Sequence, residues 1–320
     1  MSLRFALLLL MCLRALNTLA QDDAYFARRD SILHSLKMQA GLKEDSMLYE
    51  EAYFMRRNHV RVMIRTEGSN ADSSFFNEWG APEHAVSYID NQLWFEDRYA
   101  YDAFGNVSGA VHLMYYDGAI ESRLTRQHFY AEQADGLSEL LMKTEDIMVH
   151  YDHGVPERRD TTVTAYTYDR NNRLASVIRT KNHWHCPEGK RISVENVTYE
   201  YDKRGDNRRQ ISYISGSCET EKNCETEMQY NASHQLVRRQ VMSGSDTLSV
   251  TEWEIGINGR ENQYRHKEFS TQVVYERETF YQRNGLELQY TVADNSAQRV
   301  TKCTYVYYTG NGTKEKRKNR

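Results

Sequence analysis

The chain has 320 residues, of which 40% are hydrophobic and 27% charged, with a net charge of −4. That length and apolar content exclude a wholly disordered chain and allow one large or two modest domains. The acidic balance argues against a broad nucleic-acid interface, which needs a basic face. Twenty-three Tyr against three Pro point to many half-exposed strands instead of a thick apolar core.

In chain order, residues 1–20 read as a signal peptide: Arg4, the apolar run Phe5 to Leu13, then Thr18 and Ala20 at the small-residue positions before Gln21. The expected location is secreted, periplasmic or cell-surface. The apolar run is too short to span a bilayer, which takes ~20 residues, and no membrane span is expected elsewhere. Residues 21–70 are expected to form an N-terminal helical cap and a first strand. Asp22 or Asp23 can cap a helix carrying Tyr25, Phe26, Ile32, Leu33 and Leu36, with Gly41 as its stop. A second helix is expected over Asp45 to Arg57, and His59 to Thr66 alternates as a strand. A short helix over Leu137 to Lys143 interrupts what otherwise reads as strands and polar turns. Residues 71–310 form the expected domain of antiparallel β-hairpin repeats, and residues 311–320 a basic disordered tail.

An imperfect repeat centred on tyrosine carries most of the information. Its clearest copies are Tyr99-Ala100-Tyr101-Asp102-Ala103-Phe104-Gly105 and Tyr166-Thr167-Tyr168-Asp169-Arg170-Asn171-Asn172. Tyr199-Glu200-Tyr201-Asp202-Lys203-Arg204-Gly205 and the stretch from Met228 through Tyr230 and His234 to Leu236 continue it, with weaker echoes from Tyr281 to Leu286 and from Tyr305 to Asn311. The spacing is that of a hairpin. Residues two apart on a strand share a face, and an Asp or Asn after the tyrosine folds back onto the turn backbone. Four residues after the central tyrosine stand Gly105, Asn172, Gly205, His234 and Gly285, types that accept a left-handed backbone.

The pattern resembles the tyrosine-aspartate repeats of the Rhs-type family, whose unit runs Tyr-x-Tyr-Asp-x-x-Gly-x-Leu. The resemblance covers roughly residues 95–290. It implies long antiparallel sheets, which in that family curl into a hollow shell around a toxin domain. This sequence has Asn207 where the unit has an apolar residue, Asn231 and His234 for Asp and Gly, and no Asp-Pro-x-Gly motif. The expectation is a short exported relative without the toxin-shell core motif.

The fold class expected is therefore mainly β: an antiparallel meander of hairpins forming a twisted or curled sheet, with a small helical cap. Strands over Arg173 to His183, Arg191 to Tyr201, Arg209 to Cys218 and Glu225 to Tyr230 would place the turns after Tyr168, Tyr201 and Tyr230 on one rim. Leu286, Leu288, Tyr290 and Val292 read as one apolar face opposite Glu287, Gln289 and Thr291.

Four cysteines follow the leader, and an even number in an exported chain favours disulfides. Cys218 with Cys224 is the easiest pairing and leaves Cys186 with Cys303, although Cys186 with Cys218 or Cys224 stays open. His183 and His185 share a strand face and are the weak candidates for a metal, but two ligands do not make a site. No nucleophile elbow, His-Glu-x-x-His helix or phosphate loop occurs, so no catalytic residue and no cofactor are expected. The expected function is a non-catalytic β-sheet scaffold or binding protein presenting a Tyr-rich surface to a protein or glycan at the cell surface. The alternative is a cell-envelope glycan hydrolase with dispersed acidic residues.

Overall fold

The computed structural model describes residues 43–131, 140–184, 192–216, 222–256, 260–295 and 297–307. The leader, the helix expected before Gly41 and the basic tail lie outside them. The second expected helix is present as α1 (Lys43–Arg57), with Arg56 and Arg57 in its last turn, where basic side chains complement the helix dipole. Next come β1 (Val60–Glu67), β2 (Asn70–Phe76), β3 (Pro82–Ile89), β4 (Gln92–Tyr101), β5 (Val107–Tyr116) and β6 (Ala119–Tyr130). The middle of the chain forms β7 (Leu141–Asp152), β8 (Val155–Tyr168), β9 (Leu174–Asn182), β10 (Ile192–Tyr201), β11 (Asn207–Ser215) and β12 (Lys222–Tyr230). The last strands are β13 (Leu236–Ser243), β14 (Asp246–Ile255), β15 (Glu261–Glu268), β16 (Val274–Tyr281), β17 (Glu287–Ala293) and β18 (Gln298–Tyr307). The helix expected over Leu137 to Lys143 is not formed where it can be seen: Leu141, Met142 and Lys143 open β7, because alternation there outweighs local helix propensity.

Each strand pairs antiparallel with the next, and β1 pairs with both β2 and β18, so the meander closes into an 18-stranded barrel. Eighteen strands ~4.8 Å apart make a ring about 27 Å across before tilt widens it. A helix is ~10–12 Å wide and cannot fill such a ring. The helix side chains nevertheless reach strands and turns far apart around it. Tyr49 Oη accepts from Val107 N on β5, Glu51 pairs with Arg65 on β1, and Phe54 lies under Arg260 before β15. A helix touching such separated parts of the wall lies inside the mouth, and this fixes which strand face is lumenal.

One rim is built from copies of a single turn. At Asn77–Ala81, Asp102–Asn106, Asp169–Arg173, Asp202–Asp206, Asn231–Gln235 and Gln282–Leu286, the first N–H donates to the fifth carbonyl and the fourth N–H to the first. The fourth residue has positive φ in each: Gly80, Gly105, Asn172, Gly205, His234 and Gly285. The first side chain caps every copy except the one at Gln282, where Asn284 Oδ1 accepts from Leu286 N at 3.2 Å instead. Asp102 Oδ1 accepts from Phe104 N and Asn106 N, both at 2.9 Å, Asp169 does the same for Asn171 and Arg173, and Asp202 for Arg204 and Asp206. The Asn77 copy lacks the tyrosine and escaped the sequence pattern. At the opposite rim, two-residue turns such as Asp90-Asn91 and Asp117-Gly118 take positive φ at both positions, the primed geometry whose twist matches the strands.

A bulge accompanies the tyrosine turns, with register shifts at Ala100/Tyr101, Phe129/Tyr130, Thr167/Tyr168, Glu200/Tyr201 and Phe280/Tyr281. It corrects one expectation. Tyr281 pairs with Glu287 and Phe280 with Gln289, so Leu288 is the extra residue and is 42% exposed, while Leu286 and Glu287 are buried. Leu286 to Val292 is therefore not a continuous apolar face.

The buried apolar groups gather at the tyrosine rim. One cluster holds Leu141, Tyr166, Leu174, Val177, Val197 and Tyr199, and another packs Met55 of α1 against Val60, Met63, Phe76, Leu286, Cys303 and Tyr305.

Candidate functional site: the lumen of the barrel

The repeat tyrosines turn inward and act as staples. Tyr130 Oη donates to the Val107 carbonyl at 2.9 Å, Tyr168 to Leu141 at 2.6 Å, Tyr201 to Leu174 at 2.7 Å and Tyr281 to Glu261 at 2.7 Å, and Tyr101 bonds Pro82. Each acceptor opens the strand that follows an earlier turn, so each hydroxyl ties one hairpin to another. Burial pushes the Tyr168, Tyr199 and Tyr201 phenols well above the usual range. Asp169 and Asp202 sit below the ordinary carboxylate range; Arg173 is the chief lowering influence on Asp169, and backbone N–H donors act on both.

Beneath α1 lies a buried charge network. Arg65 pairs with Glu51 of the helix at 3.0 Å and with Glu287 at 3.1 Å, and Glu287 also takes Arg277 at 3.3 Å. Burial opposes ionisation of Glu287, yet Arg65 and Arg277 hold it below its usual range. Cys303 in the same cluster is a free thiol that burial pushes up to about 11.

Further from the helix, register places a band of aromatic groups on the lumenal face. Trp253 pairs with Tyr264, Tyr264 with Arg277 and His266 with Tyr275 across β14 to β16. Trp253 and Tyr264 meet edge to face at 5.9 Å, Tyr264 and Tyr275 at 5.8 Å, and Tyr264 stacks on His266 at 6.5 Å. Arg277 lies 4.4 Å over Tyr290. A concavity of about 440 Å³ on these strands is lined mainly by outward positions, among them Glu252, Glu254, Arg265, Glu276 and Glu278. It therefore belongs to the outer wall, not to the lumen, although Trp253, Tyr264 and Arg277 border it. A second, about 230 Å³, is lined by Arg65, Glu67, Asp72, Phe95 and Tyr290. Lumenal carboxylates on the opposite wall are engaged: Asp146 by Arg126 through two bonds of 2.7 and 3.1 Å, Asp97 by His112 at 2.8 Å, and Glu195 by Arg179. Towards the rim away from α1 the lumen admits solvent, with Phe95 39% exposed and Asp72 exposed.

The structure thus separates the sequence-derived candidates. Tyr101, Asp102, Gly105, Tyr168, Asp169, Asn172, Tyr201, Asp202 and Gly205 all lie at the tyrosine rim. His183 donates to or accepts from Ser193 at 2.8 Å, His185 lies outside the described residues, and no metal-holding group of three ligands occurs among those described. Cys186 and Cys218 also lie outside them. Cys224 and Cys303 are both free thiols, and this corrects the expected disulfides at those two positions; Cys303 faces the buried charge network, where the apolar and charged packing keeps it from the surface. The lumenal aromatics belong to no motif. Their only sequence signal is an aromatic flanked by charge, as in Glu252-Trp253-Glu254.

No family model matches the chain, and no curated protein matches it. Among solved structures, a porin-like protein from Bacteroides vulgatus aligns with 78% of this chain and 98% of its own, at 8% identity and a TM-score of 0.36. A porin-like protein from Bacteroides uniformis aligns with 78% of this chain and 97% of its own, at 12% identity and a TM-score of 0.34. The TcdB2-TccC3-Cdc42 structure gives a distant match over 78% of this chain and 16% of that one, at 13% identity and a TM-score of 0.22. No residue role passes from them to this barrel.

Proposed function

We propose that the protein is an exported, non-catalytic binding barrel that takes a glycan against the aromatic band of its lumen. The observation that carries the reading is the Trp253, Tyr264, Tyr275 and Tyr290 surface, a row of rings of the kind sugar faces stack on, inside a barrel whose core is confined to one end. Engagement of Asp97, Asp146 and Glu195 by His112, Arg126 and Arg179 occupies three lumenal carboxylates and favours binding over hydrolysis, which takes a pair of available acids, although Asp72 stays open to solvent beside the second concavity. The outer wall supports a water-facing barrel at the cell envelope. Arg209–Glu225, Arg238–Glu252 and Arg265–Glu276 stand on outward positions along the strands, where a lipid-facing wall would be apolar.

The test is calorimetric titration with oligosaccharides, comparing the wild type with Trp253→Leu. Binding weakened at least tenfold in the variant, with an unchanged melt, is the expected result. Equal binding by both would place the ligand elsewhere, and turnover of an oligosaccharide would replace the reading with the hydrolase.

A further inference from the structure

We propose that Arg239 is the anion-recognising residue of this lumenal site, so that the saccharide it takes carries a carboxylate or sulfate. The inference rests on the glycan-binding reading above and narrows it to a ligand class. Arg239 pairs in register with Met228 on one side and Thr251 on the other, and Thr251 pairs with His266, which pairs with Tyr275. Met228 and Thr251 are buried on the lumenal face, so the guanidinium shares their side of the wall. Its row runs directly beside the row of Trp253, Tyr264 and Arg277.

The lumenal cations differ in what they hold. Arg65 and Arg277 share Glu287, Arg126 holds Asp146 and Arg179 holds Glu195. Among the described residues Arg239 has no ion pair and no hydrogen bond, and its titratable neighbours are the phenols of Tyr264 and Tyr199, both neutral below their raised ionisation range. The residue is exposed to solvent within the lumen, so a ligand can reach it. Part of its surface meets solvent, yet the protein packed around it partly desolvates the guanidinium and so disfavours its charge, a cost that an arriving anion offsets. A guanidinium presents a planar fork of donors matched to carboxylate or sulfate oxygens, and the rings beside it offer a face to the sugar. A neutral saccharide would leave the fork unused.

The experiment titrates the full chain with three hexasaccharides of similar length, one uronate-based, one sulfated and one neutral, in wild type, Arg239→Gln and Arg239→Lys. The expected result is that at least one anionic ligand binds tenfold or more tightly than the neutral one. Arg239→Gln should remove that preference without lowering the melting temperature, and Arg239→Lys should keep part of it. Which anionic arm binds identifies the group. A preference that survives Arg239→Gln, or neutral and anionic ligands binding alike, overturns the inference and leaves the glycan-binding reading standing. Binding of none of the three overturns both.

Discussion

Removing one staple hydroxyl, as in Tyr168→Phe, tests whether the tyrosine repeat holds the barrel through its side-chain tips. The Tyr168 hydroxyl donates to the Leu141 carbonyl at 2.6 Å, and Leu141 is itself buried. A neutral bond of this kind contributes about 1 kcal/mol net, and stranding a buried acceptor adds a share of the ~1–3 kcal/mol desolvation cost. The ring remains, so packing is little changed, and the expected loss is about 1–2 kcal/mol. For a chain of this size that lowers the melting temperature by about 2–4 °C. Urea denaturation should show a lower midpoint with an unchanged slope, because the surface exposed on unfolding is the same. Tyr201→Phe, which frees the Leu174 carbonyl, should cost a similar amount. Tyr168 and Leu174 are register partners, so the double variant should depart from additivity, whereas Tyr168→Phe with Tyr281→Phe should add to within about 0.5 kcal/mol. A Tyr168→Phe midpoint equal to the wild type would refute the staple and reduce the repeat to a turn signal.

Gly80→Ala should be far more damaging than Gly118→Ala. Both have positive φ, but a Cβ on Gly80 would meet the Ala52 carbonyl and lie 2.6 Å from Arg56 N on α1, whereas at Gly118 it meets nothing within 4 Å. The strain alone costs roughly 1–2 kcal/mol, so unfolding midpoints that moved equally would show that α1 does not press on this turn. Alkaline pH should weaken the fold through Cys303. The folded state keeps its proton up to about 11 while an unfolded thiol ionises near ~8.5, so stability is greatest below that lower value and falls across the interval, by about 3 kcal/mol. Cys303→Ala should flatten the alkaline part of a stability profile, and native Cys303 should resist a thiol reagent that labels half-buried Cys224; rapid labelling of both would contradict the burial. At acid pH the sign reverses for Glu287. Its folded ionisation lies below the ordinary carboxylate range, so the stability it contributes is present above ~4.3 and is lost as pH falls through the folded value, and Glu287→Gln should remove that part of the acid profile.

The turns were legible in the sequence because their chemistry is local. An Asp or Asn oxygen and a residue tolerant of positive φ three positions later lie within one short window, so the turns at Asp102, Asp169 and Asp202 and the strands between them could be placed. Asn77 shows the limit: its turn is the same, but Phe76 stands where the tyrosine would be. Closure was not legible. It depends on β1 finding β18, as in the pairing of Ile64 with Thr304, and no short window encodes a register between distant strands. Leu288 was misread for a related reason, since a bulge shifts the face after the turn while leaving the alternation of residue types intact. The lumenal site was hidden because Trp253, Tyr264, Tyr275 and Arg239 come together only through cross-strand register.

The uneven distribution of stabilising groups bears on how such a wide barrel can leave part of its wall unfilled. Helix, staples, capped turns and buried clusters all lie at the tyrosine rim, so the free energy that resists unfolding is concentrated there. Strands held firmly at one end keep their register along their whole length, because a slip of one residue would turn every lumenal side chain outward. The open part of the wall therefore needs no apolar filling of its own. Its lumenal positions are released for polar and aromatic groups such as Arg239 and Trp253, whose substitution is expected to leave the melt unchanged.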